Sequence, residues 1–161
     1  MASEPLDTSP KDLNVPAVAF HFNVPEPRDY CCRLLRKADR QGARLAVHGP
    51  AQTLADLDRL LWQFDPLEFV PHWRGGRLDN LPQRLAATPV VLLEHLDAAT
   101  VAPRYPVLVN LAVDVPPGVA VFDRIIEVVG LGPELREAAR QRWRWYASQQ
   151  WTIERHEVKS I

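Results

Sequence analysis

Apolar positions alternate from Val18, with Val18, Phe20 and Phe22 on one side, and this period of two predicts a strand. Pro25 and Pro27 then open a helix over Arg28 to Gln41, where Cys31, Leu34, Leu35 and Ala38 recur at helical spacing and Gly42 marks the stop. Arg44 to His48 reads as a second strand. Gly49 and Pro50 lead into a second helix with a buried row of Leu54, Leu57, Leu61 and Phe64. After Phe69 to His72 comes a polar loop rich in glycine and arginine. Three apolar runs follow, Pro89 to Leu93, Val107 to Leu111 and Arg124 to Val129, and their continuity predicts strands covered on both faces. Pro133 is placed to start a last helix running to about Gln149, and Trp151 to Val158 alternates again as an edge strand.

Strand, helix, strand, helix is the signature of an α/β domain with a mostly parallel or mixed sheet and helices on both faces. The chain has 161 residues, 47% of them apolar, enough for one core and not for two. Residues 1–16 hold Pro5, Pro10 and Pro16 with no apolar period, so they are expected to be a disordered leader ahead of a single domain over 17–161. A net charge of −1 argues against a uniformly basic nucleic-acid surface. No apolar run is long enough to span a bilayer and no signal peptide is legible, which predicts a cytoplasmic protein.

Candidate chemistry is thin. A dinucleotide site needs glycines between the first strand and helix so that backbone amides can approach phosphate, but the turn here reads Asn23, Val24, Pro25, Glu26, Pro27. His21, His48, His72, His95 and His156 stand singly, without ligand spacing, and Ser148 and Ser160 lack acid or base neighbours. Cys31 and Cys32 are adjacent, cannot form a relaxed disulfide, and Cys31 falls on a buried stripe. The residues thus predict neither cofactor nor metal nor catalysis.

Two features read as binding surfaces instead. Arg136, Arg140 and Arg144 recur every four residues on the last helix, a row of forked donors suited to carboxylate or phosphate, with Arg142 off to the side. Trp143, Trp145 and Tyr146 could wall an apolar slot beside that charge. Trp62 lies about 100° round its helix from the buried row, and with Phe69 it is a candidate interface anchor.

Leu57 to Phe64 with Phe69, Val70, Pro71 and His72, then Val107 to Leu111 with Val115 and Pro116, and finally Arg136 to Tyr146 appear in an order that resembles the chi subunit of the bacterial DNA polymerase III holoenzyme. The resemblance runs from about Val18 to Val158. It implies a Rossmann-like fold without a cofactor and a non-catalytic adaptor of the clamp-loader assembly. Its partners would be the psi subunit and the acidic C-terminal tail of single-stranded-DNA-binding protein, with nucleic acid reached only indirectly. Arg140 would be the central carboxylate contact, flanked by Arg136 and Arg144, with Trp143 as apolar wall. Trp62 and Phe69 match positions used towards psi, a surface some members also offer to a repair helicase. The proline-rich leader and the lengthened stretch Trp73 to Thr88 depart from the family. Direct single-stranded nucleic-acid binding and a nucleotide-binding enzyme are the alternative readings.

Overall fold

The computed structural model describes residues 15–63, 67 and 69–159. Most of the leader predicted over 1–16, and Phe64 of the second helix's apolar row, lie outside the described residues. Ala17–Val24 forms β1 and leads into α1, Pro27–Arg40. Pro27 sits in the first helical turn, where a missing amide costs nothing, and Asp29 near the start with Lys37 and Arg40 near the end suit the helix dipole. Gly42, at φ +74°, lets the chain reverse while the amides of Gly42 and Ala43 bond back to Asp39 and Ala38 at 3.0 and 2.9 Å.

The order then runs β2 (Leu45–His48), α2 (Ala51–Gln63), β3 (His72–Gly75), β4 (Val90–Leu93), α3 (Ala98–Val101), β5 (Val107–Asn110), β6 (Arg124–Gly130), α4 (Pro133–Ser148) and β7 (Ile153–Glu157). Among the described residues seven strands make one sheet in the order β3-β4-β2-β5-β6-β1-β7, and every pairing is parallel. One face packs on α1 and α2 through Cys31, Leu34, Leu35, Ala38, Leu54, Leu57 and Leu61. The other packs on α3 and α4 through Ala98, Val101, Ala139 and Tyr146. Covering both faces requires apolar side chains on both, which is why β4 and β5 are buried at every position. β7 has one neighbour, β1, and its residues are intermediate or exposed, the edge strand that its alternation predicts.

One strand was hidden in the sequence. His72–Gly75, which spans the end of the Phe69 to His72 run and the start of the expected polar loop, pairs along β4 as the opposite edge of the sheet. Its pattern is broken by Arg74 and Gly75, yet Gly75 is there for packing: a Cβ would fall 2.1 Å from the Trp73 ring, which folds over it. The following stretch, 76–88, carries two short 3-10 turns and buries Leu78 in the core of the α4 face.

Candidate functional site

α4 is fixed to the sheet by a buried polar cluster. Glu127, in the middle of β6, has no exposed surface and accepts from Arg142 Nε at 2.8 Å, the Tyr146 hydroxyl at 2.7 Å and Asn110 Nδ2 at 3.0 Å. Arg142 Nη1 donates onward to the Val113 carbonyl at 2.9 Å. Burial pushes the Glu127 carboxyl up, and Arg142, Asn110 and Tyr146 work against that push by favouring its charged form. Arg142, expected only to lie off the arginine row, is therefore an internal ion-pair partner. Helical geometry places it about 200° round the axis from Arg140.

With Ala139, Arg142 and Tyr146 turned inward, the flank of α4 carrying Arg136, Arg140 and Trp143 faces β1 and β7. These three residues line a solvent-open groove of about 510 Å3 together with Phe20, Phe22, Asn23, Val129, Ala139 and Arg155. Phe20 and Trp143 make the apolar floor, their ring centroids 5.0 Å apart. Arg136 Nη2 donates to Asn23 Oδ1 at 3.2 Å, and Asn23 Nδ2 donates to Glu157 Oε1 at 3.0 Å. Arg140 Nη1 meets Glu137 Oε2 at 3.1 Å, and the hydrogen bonds from Arg140 and Gln141 hold the exposed Glu137 carboxyl below its ordinary range.

Arg144 is exposed but does not line the groove. Each step of four residues advances about 40° round a helix, so two steps from Arg136 turn Arg144 about 80° away. Of the aromatic residues near the row, Trp143 is in the groove and Tyr146 is wholly buried. Trp145 stacks edge-on against Trp151, with ring centroids 5.4 Å apart. Sequence reasoning missed Phe22, Asn23 and Arg155 as groove residues. They come from β1 and β7, and only the parallel pairing of those strands brings them beside α4. The alternation in Trp151 to Val158 was the one available signal.

Trp62 and Phe69 meet at the other edge of the sheet. Trp62 is 62% exposed and Phe69 43%, and their rings stack at 4.7 Å and 28°. His72 backs both rings at 5.4 and 5.7 Å. Its own ring is pinned by contacts to the Val70 carbonyl at 2.7 Å and Asp58 Oδ1 at 2.8 Å, while Arg74 Nε donates to Asp58 Oδ2 at 3.2 Å. The patch is thus an exposed aromatic pair over a polar brace, and Trp62 does not fill the core.

A second cleft, about 360 Å3, opens near the C-terminal ends of the strands, where α/β folds commonly bind nucleotides. Its walls include Pro27, Leu111, Val113, Val129 and Leu135. Gly130 there admits the Leu135 and Pro27 side chains, 2.9 and 3.1 Å from where its Cβ would stand, so packing alone accounts for its smallness. Cys31 and Cys32 are buried, and burial pushes their thiols up to about 12 and about 11, which disfavours the nucleophilic thiolate. Among the described residues no three His, Cys, Asp or Glu side chains cluster as metal ligands, and no helix is long and apolar enough to cross a membrane.

Comparison with known proteins places these features in a family. The family model described as DNA polymerase III chi subunit, HolC, matches residues 15–154. The chain is 31% identical over 137 residues to the DNA polymerase III subunit chi of Pseudomonas aeruginosa, covering 81% of this chain and 85% of that protein. To the DNA polymerase III subunit chi of Haemophilus influenzae it is 28% identical over 131 residues, covering 81% and 86%.

Proposed function

The chain belongs to the DNA polymerase III chi subunit family, and from that premise we propose that it is a non-catalytic adaptor of the clamp-loader assembly, acting in the cytoplasm. One surface binds the acidic C-terminal tail of single-stranded-DNA-binding protein, and another binds the psi subunit. The observation that carries this reading is the groove in which Arg136 and Arg140 flank an apolar floor ending at Trp143. An acidic chain end closing in an apolar residue needs cations for its carboxylates and a greasy slot for its last side chain, and the groove offers both within one cleft. Arg140 is the central carboxylate contact, Arg136 flanks it, and Arg144 meets acidic residues further up the tail from outside the groove.

The stacked pair Trp62 and Phe69 takes psi, and a repair helicase could use the same rings in turn. Exposed tryptophan backed by a rigid polar brace is what an energetically dominant contact requires, because it buries a large apolar area without first paying to order the side chain. Across seven strands the two outer ones lie about 29 Å apart, so the two sites do not overlap.

Calorimetry with a synthetic acidic peptide ending in a free carboxylate tests the groove. Arg140→Ala is expected to lose about 1.5–3 kcal/mol of affinity through the missing charge-assisted contact. Unchanged binding would move the tail site elsewhere.

A further inference from the structure

Arg155 belongs to a different element from the arginine row, yet it reaches the same groove. It is the register partner of Phe20 across the β1–β7 ladder, so both side chains leave the same face of the sheet, towards α4. Its guanidinium carbon lies 5.2 Å from the Phe22 ring centroid and 6.0 Å from that of Trp143. The groove arginines differ in what already occupies them. Arg140 is paired with Glu137 and Arg136 is hydrogen-bonded to Asn23, whereas among the described residues Arg155 makes neither an ion pair nor a hydrogen bond. Its charge is steadied by aromatic faces, which attract a cation but leave its donors open.

We propose that Arg155 is a strand-borne anchor for the terminal carboxylate of the tail, closing on it from the side opposite Arg140. This rests on the tail-binding reading and adds to it a residue outside α4. A chain end that lays its last apolar side chain on Phe20 and Trp143 carries its own carboxylate on the same residue, beside the cation lying over that floor. At Arg140 the incoming carboxylate must displace Glu137. At Arg155 no side chain competes, and the forked donors match the two carboxylate oxygens. Arg140 then shares the terminus with Arg155, and Arg136 flanks them towards the acidic side chains upstream.

Calorimetry of the full chain at low salt decides this, with one acidic peptide ending in Phe as the free acid and the same peptide amidated. Arg155→Met keeps an apolar stem over Phe22 and removes the charge. It is expected to weaken the free acid about tenfold, to change binding of the amide less than about twofold, and to leave the unfolding midpoint in place. Undiminished affinity of Arg155→Met for the free acid, with Arg140→Ala still weakened, overturns the role of Arg155 and leaves the tail site standing. Equal weakening on both peptides overturns the carboxylate assignment. Absence of binding by the parent chain defeats the tail reading itself, and Arg155 with it.

Discussion

At the β7 edge of the sheet the groove presents cations above an aromatic floor, whereas at the β3 edge the exposed groups are bare rings above a pinned imidazole. The same sheet supports both, but the polar groups are inverted. In the groove the charges face solvent and the rings lie beneath them; in the patch the rings face solvent and His72, with Asp58, lies beneath. Contacts of the first kind depend on Coulomb attraction and weaken with salt, while those of the second depend on buried apolar area and do not. On the adaptor reading proposed above, one partner would be released by salt without loosening the other.

The most damaging test of this division strikes the support of one edge only. Glu127→Ala would leave the Arg142 guanidinium inside the protein without its carboxylate and is expected to cost about 3–5 kcal/mol of stability in urea denaturation. Below the transition, tail binding should suffer more than psi binding, since α4 loses its lock and α2 does not. Equal losses at both surfaces would show that the edges are not independent.

Acid should also weaken the fold through the strand beside β7. His21 on β1 is hydrogen-bonded to the Tyr30 hydroxyl and stacks near His156 of β7 at 4.9 Å. Burial, with help from His156, Arg124 and Lys37, holds its pKa at about 4 against an ordinary 6.5. The unfolded chain therefore takes up the proton first, so this contribution is intact above pH 6.5 and drains away as the pH falls to about 4. In full it amounts to about 3 kcal/mol, and His21→Asn should flatten that part of the stability profile.

Trp62→Ala probes the opposite edge. Its ring is mostly solvent-exposed, so stability should change by less than about 0.5 kcal/mol while psi affinity falls by about 2 kcal/mol or more. The mildest contrast uses no mutation. Raising sodium chloride from about 0.05 to about 0.5 M should cost the tail peptide about 1 kcal/mol and psi much less, as paired calorimetric titrations would show.

The frame of the molecule was legible because most of its strands alternate or carry a mainly apolar run, and its helices carry clean stripes. β1, α1, β2, α2, β4, β5, β6, α4 and β7 all appear within a residue or two of where periodicity puts them. β3 escaped because a four-residue edge strand with Arg74 and Gly75 in it has no pattern to read. The groove was half legible: helical spacing aligned Arg136 with Arg140, but it could not reveal Arg155, which arrives through pairing between strands far apart in sequence. Nor could it tell Arg142 from its neighbours, since the partner that draws it inward, Glu127, sits fifteen residues away on another element. Spacing reports which residues share a helix face, and only the packed sheet decides which face is inside.

The two thiols of the chain lie sealed between α1 and the sheet with their reactive forms suppressed. Maleimide dyes should consequently pass over the native protein, so one cysteine placed on an exposed lip of the groove would accept a fluorophore selectively. The fold thereby supplies its own silent background for following a tail as it arrives and leaves in real time.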